Sequence, residues 1–285
     1  MTAVHDEDEK HVAVDAALRS WRQGDGVIGE QWFVHRFAPQ VPLTEAAAQA
    51  APAGVDLAET AVRGFVVVSQ TCDIVRSCRE RPYIEVAPLV EVKARDLPMI
   101  ERGRRPRYVG VPGLRDQALV GDLDRVMTVE KAVIATWARF AGCVTDRETR
   151  DFARALARKR IRFAFPDDFT GLASKLQSRL QDKHDKQSDE GDALRALCEI
   201  RVRAAPSWDD DPVEILFWFI RHEDEPDFKG QRWDRFLEGW LKLAPPTGRF
   251  RSVNGVVMTL DDLTARDYVE SDPLDLDHLS SRSAS

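Results

Sequence analysis

Arg63-Gly64-Phe65-Val66-Val67-Val68-Ser69-Gln70-Thr71-Cys72-Asp73-Ile74 is the stretch on which the reading of this chain turns. Four consecutive apolar residues, three of them β-branched, predict a strand packed on both faces, because branched side chains fit a pleated surface and resist helix. After Ser69 the apolar run stops, and Gln70, Thr71, Cys72 and Asp73 bring an amide, a hydroxyl, a thiol and a carboxylate together. With extended geometry continuing, Ser69, Thr71 and Asp73 share one face and Gln70 and Cys72 the other. This makes Arg63, Thr71, Cys72 and Asp73 candidate catalytic residues at the lip of a small β-structure. The competing expectation is a strand end whose Thr and Asp hydrogen-bond to turn backbone.

Upstream, Gly24-Asp25-Gly26 carries turn chemistry and Gln31 to Phe37 reads as a strand, while Ala38 to Val62, rich in Ala, Pro and Gln, reads as an exposed insertion or a short helix. Downstream, the basic turn Arg76 to Pro82 leads into a strand over Tyr83 to Val92. Shorter strands at Tyr108 to Pro112, Ala118 to Val120 and Val126 to Val129 are placed to complete a small barrel. The run Lys93 to Arg107 is the densest basic segment, so Arg102, Arg104 and Arg105 are candidate phosphate contacts, against a solvated loop balanced by Glu91, Asp96 and Glu101.

From Asp146 the period changes. Phe152, Ala155 and Leu156 recur at helical spacing behind a cap at Thr145 or Asp146, which predicts a helix to about Arg162. Its other face holds Arg147, Arg150, Arg154, Arg158, Lys159, Arg160 and Arg162, so Arg150, Arg154 and Arg158 are candidate nucleic-acid contacts, with a solvated, ion-paired face as the alternative. A second helix runs through Leu172, Leu176 and Leu180, and Lys183 to Asp192 reads as a loop. Strands follow at 196–204 and 212–220, then a helix around Trp233 to Leu241 and a strand from Phe250. Asp209-Asp210-Asp211 lacks the spaced oxygens and the Gly of a calcium loop and reads as a solvated turn. The fold class is therefore α+β. A small β-barrel over 12–144, with an insertion at 38–62, precedes an α+β half over 145–279, and the ends, 1–11 and 280–285, are expected to be disordered tails.

The 285 residues are 43% hydrophobic, enough for a real core, and the formal charge of −7 argues against a surface that is basic throughout while leaving room for local basic patches. The sequence has no apolar run near the ~20 residues of a membrane span, and its start is acidic where a secretory leader is basic, so a cytoplasmic location is expected. Cys72, Cys78, Cys143 and Cys198 lack C-x-x-C spacing, so reduced thiols, no metal and no cofactor are expected.

Gly24-Asp25, the run Arg63 to Ser69, the basic turn and Val86-Ala87-Pro88-Leu89 resemble, in that order, the core of the MazF/PemK-type toxins over residues 20–92. The resemblance implies an SH3-like barrel and cleavage of single-stranded RNA, with Arg63 standing for the family's arginine. Gly64 replaces the family's proline, and Val90 or Leu89 falls where a hydroxyl is needed. Over the whole length, Gln23-Gly24-Asp25, Phe163-Ala164-Phe165-Pro166-Asp167 and Leu274-Asp275-Leu276-Asp277 are similar to an uncharacterised bacterial group found near mobile and defence-type genes. The expected function is a non-catalytic accessory protein of such a defence or toxin–antitoxin-like system, binding RNA or DNA or a protein partner encoded nearby. The alternatives are a MazF-like nuclease at the barrel rim, with Arg63, Thr71, Asp73 and His35 around a phosphodiester, and a Cys72-dependent thiol enzyme or sensor.

Overall fold

The structure is a computed structural model that describes residues 2–101, 103, 105–161, 163–222 and 232–274. Arg102, Arg104, Arg162 and the serine-rich end at 280–285 lie outside the described residues. Helices and sheets are both present, as an α+β class requires, and the chain divides into two compact units, Met1–Ile161 and Arg162–Ser285. None of the described helices is long and apolar enough to cross a membrane.

The first unit runs α1 (Thr2–Leu18), β1 (Gly26–Arg36), α2 (Glu45–Ala50), β2 (Leu57–Val67), α3 (Thr71–Ile74), β3 (Tyr83–Glu91), α4 (Leu97–Glu101), β4 (Tyr108–Gly110), β5 (Leu119–Asp122), β6 (Met127–Glu130), α5 (Lys131–Ala135) and α6 (Asp146–Arg160). The β-branched run of β2 lies in the middle of the sheet and is buried as its composition requires, with Phe65, Val66 and Val67 almost fully covered. The strands pair in the order β1-β2-β3-β5-β4, and β6 also pairs with β3. From Val86 opposite Met127 to Leu89 opposite Gly121, β3 advances three residues while its partner run retreats six, so the turn between β5 and β6 is looped out. Among the described residues no ladder joins β1 to β4, and the sheet is an open path without the closure expected of a barrel. Among the described residues the second edge of β1 takes one bridge, Gly26 with Phe140.

Backbones approach closely where β1 crosses β2. Gly64 has φ +134, and a Cβ there would lie 2.0 Å from the Val27 carbonyl oxygen, so no other residue fits without moving β1.

Three boundaries differ from the sequence expectation. The insertion ends at Asp56, because Leu57 to Val62 already pair with β1 and alternate in burial along it. The amino-terminal segment expected to be disordered is helical from Thr2, and the end of that helix is anchored by Leu18 and Val14 in the core with Phe65 and Ile84. Finally, α6 belongs to the first unit and the division falls at Ile161 instead of 144, since Phe152, Ala155 and Leu156 pack on Val66, Val68 and Leu89.

The second unit contains α7 (Asp167–His184), α8 (Asp189–Ala196), β7 (Leu197–Ala205), β8 (Val213–Arg221), α9 (Trp233–Leu241), β9 (Phe250–Met258), α10 (Ala265–Val269) and β10 (Asp272–Pro273). Its sheet has the order β10-β7-β8-β9, antiparallel except for the parallel β8–β9 pair. Part of the expected 183–192 loop is α8, capped by Ser188 accepting from the Gly191 N–H. Phe169 is fully buried and meets Trp208, Phe217 and Phe250, which makes an aromatic centre for this unit. Arg201, also buried, stacks on Tyr268 at 4.0 Å and donates to Ser271 Oγ at 2.8 Å, holding the α10 segment on β7. The Asp209 to Asp211 turn is tied by Arg249, which donates to the Asp210 carbonyl at 2.9 Å and to Asp168 at 2.6 Å.

Candidate functional site

The strand does not continue through the polar residues. β2 ends at Val67, and Thr71–Ile74 form the short helix α3 behind an extended Gln70. The cause is Ile74, which is 1% exposed in the core formed with Val67 and Ile84 and curls the chain inward. The expected shared face of Ser69, Thr71 and Asp73 is thereby lost, because successive helical side chains fan around an axis. Ser69 Oγ accepts from the Glu85 N–H at 2.8 Å, and Thr71 Oγ1 accepts from the Gln23 N–H at 3.1 Å. Gln23 in turn donates to the Val68 carbonyl at 2.8 Å. Cys72 is exposed and donates to Gln70 Oε1 at 3.5 Å, while Asp73 pairs with Arg76 at 4.0 Å.

Arg63 stands exposed on β2, and among the described residues no hydrogen bond or ion pair joins it to Thr71, Cys72 or Asp73. His35 stacks on Phe33 at 5.5 Å, and its Nε2 lies 3.4 Å from Oγ1 of Thr44, the residue that caps α2. Among the described residues no three His, Cys, Asp or Glu side chains are grouped to hold a metal.

The structure instead singles out buried charges that a linear reading passes over. Asp25 is 1% exposed and accepts from the Arg22 N–H and from Arg139 Nε, both at 2.7 Å. Asp122, the last residue of β5 where the looped-out turn to β6 begins, is fully buried and accepts from Arg107 Nη2 at 2.9 Å, Arg125 Nε at 2.8 Å and the Asp124 N–H at 3.1 Å. Burial pushes its carboxyl upward, but the hydrogen bonds from Arg107 and Arg125 outweigh that and hold it below the ordinary value. Lys131 is 1% exposed and donates from Nζ to the Arg76 carbonyl at 2.5 Å. Burial lowers the pKa of its ammonium, against the attraction of Asp15. These groups pin turns to the sheet. The signal that marks them is chemical, an acid or a lysine within an otherwise apolar strand or helix start.

The face best suited to contact another molecule is α6. Thr145 and Glu148 form a reciprocal capping box, so the helix is well started, and Phe152 anchors its inner side. Arg147, Arg150, Arg154 and Arg158 recur along it at spacings of three, four and four residues, which keeps them on one face. Arg147 and Arg154 pair with Asp151, and Arg150 with Asp146, yet these arginine side chains remain 93%, 78% and 73% exposed. With Asp146 and Asp151 they line a shallow surface depression. Ion pairs so open are worth a few tenths of a kcal/mol, about 0.3–0.5 each, and exchange readily for another anion.

The basic loop expected to contact phosphate approaches the same helix. A Cβ on Gly103 would lie within contact of the Arg158 guanidinium, so the 93–107 run and the α6 stripe, 55 residues apart at these two positions, converge. Arg105 pairs with Asp96 at 3.3 Å and Arg107 is committed to Asp122. Towards the inner edge of α6, Lys159 pairs with Asp124, and Arg160 with Glu85 at 2.5 Å. Set against known proteins, the chain matches no family model, no curated protein and no solved structure.

Proposed function

We propose that this chain is a non-catalytic binding protein that takes a nucleic-acid strand along α6, its arginines meeting phosphates, as an accessory component of a bacterial defence or toxin–antitoxin-like system. The observation that carries this reading is the convergence of two basic runs at Gly103 and Arg158, beside three arginines held only by exposed, exchangeable ion pairs. Phosphate contacts need a row of cations at the surface and no bond-breaking groups, which suits a helix face with little relief. In this reading the open sheet of the first unit is an unclosed SH3-like scaffold for α6. The side chains of Ser69 and Thr71 serve as turn ties, consistent with their backbone partners.

Fluorescence anisotropy with labelled single-stranded RNA and DNA tests it. Binding is expected to weaken steeply with salt, and Arg150→Ala with Arg154→Ala should lower the salt slope by about two. Arg63→Ala and Asp73→Ala should leave affinity within about twofold, since neither contributes to α6. An absence of binding at low salt sinks the proposal. Cleavage of RNA that disappears in Arg63→Ala and Asp73→Ala sinks it in favour of the nuclease.

A further inference from the structure

We propose that β1 pairs with the β1 of a second copy of this chain, antiparallel and two-fold symmetric about Phe33. β1 is the terminal strand of its sheet, and beyond the Gly26–Phe140 bridge nothing among the described residues pairs with its second edge. Which backbone groups point to that edge follows from the register. The Phe37 N–H donates to the Asp56 carbonyl at 2.9 Å, continuing the pairing of His35 with Ala58 and Phe33 with Thr60. In an antiparallel ladder hydrogen-bonded pairs alternate, so the odd-numbered residues bond to β2 and the N–H and C=O of Glu30, Trp32, Val34 and Arg36 face outward.

Those same four residues turn their side chains to the exposed face of the hairpin, where Trp32 is 52% and Val34 36% exposed. Centred on Phe33, a second β1 sets Trp32 against the partner's Val34 and Glu30 against the partner's Arg36, each contact occurring twice. An aromatic residue beside a β-branched one, flanked by opposite charges, is the cross-strand combination that stabilises antiparallel pairs. The pairing uses only the outward backbone groups, so it competes with no bond to β2. Edge strands are ordinarily protected by charge or distortion. Here the bulge at Gly29 limits the ladder to residues 30–36, and the two charges attract in this one register. Arg36 also pairs with Asp56 of its own chain, and from there it reaches the symmetry-related Glu30 as a second carboxylate. The inference is independent of the proposed role of α6.

Sedimentation velocity and light scattering on the full chain, from about 1 to 200 μM, test it. The wild-type mass is expected to rise towards twice 32.2 kDa with concentration. Glu30→Arg alone and Arg36→Glu alone each place like charges opposite one another and should weaken association at least about tenfold. Mixing these two variants restores both opposite-charge pairs, so the equimolar mixture should associate within about threefold of wild type. Circular dichroism and thermal melting of each variant establish that it is folded. A wild-type chain that stays monomeric at the highest concentration overturns the proposal. So does association unchanged by either charge reversal, or a mixture no stronger than its components while both are folded.

Discussion

Replacing Asp122 by alanine is the sharpest test of the structural reasoning, because that carboxylate is fully buried and three donors converge on it. Its removal leaves the Asp124 N–H and the Arg125 guanidinium without this acceptor, while Arg107 keeps only its longer ion pair with Asp124 at 3.5 Å. Breaking one partner out of a buried charge pair costs about 3–5 kcal/mol. Here Arg107 and Arg125 remain 52% and 30% exposed and regain water when released, which argues for discounting that figure to about 2–3 kcal/mol. At roughly 2–4 °C per kcal/mol for a unit of this size, the melting temperature of the first unit should fall by about 4–12 °C.

The pH dependence supplies an internal check. Asp122 has a folded-state pKa below its unfolded value, so its contribution is fully present above the ordinary carboxylate range and is lost as pH falls through the folded value. Urea unfolding of wild type and variant should therefore differ most near neutrality and converge in acid. Lys159, which pairs with Asp124 in the same turn, should become more mobile, visible as faster amide exchange at the end of α6. A loss below about 0.5 kcal/mol, or a difference that does not depend on pH, would refute the assignment of this knot as the support of the turn.

Other perturbations have equally definite outcomes. Gly64→Ala forces a Cβ against the Val27 carbonyl at positive φ and should cost more than about 3 kcal/mol, read as a loss of the cooperative melt or of soluble protein. Thr145→Ala removes the capping box and should cost about 1 kcal/mol by urea unfolding, with no change in the second unit. Burial pushes the Cys143 thiol up to about 12, so mass-resolved labelling at pH 8 should modify exposed Cys72 well before Cys143, and equal rates would contradict this. Lys131 has its pKa lowered by burial, so the penalty for burying its charge is present at neutral pH and relieved as pH rises towards its unfolded value. Wild type should gain stability relative to Lys131→Met as pH rises towards the ordinary lysine value of 10.5, measured by urea midpoints.

Much of the architecture is readable along the chain, because apolar periodicity reports which side of an element faces a core. The runs Phe65 to Val67 and Val213 to Ile220 are strands, and Phe152 with Leu156, like Leu172, Leu176 and Leu180, mark helices where the structure has them. The arginine face of α6 is likewise a matter of local spacing. What happens after Ser69 is not legible in that way, since the choice between extended chain and α3 rests on where Ile74 finds its partners, Val67 and Ile84 among them. A four-residue helix is too short to announce itself by period.

By itself, then, the sequence determined the mixed α+β class, most element positions and the basic helix, all of which follow from interactions between residues a few places apart. Only the tertiary structure decided that β1 ends the sheet with an open edge, that Asp122 gathers Arg107 and Arg125, and that Gly103 lies beside Arg158. Those depend on long-range packing, in which the cost of burying a charge or closing a loop is offset by neighbours that no local pattern names.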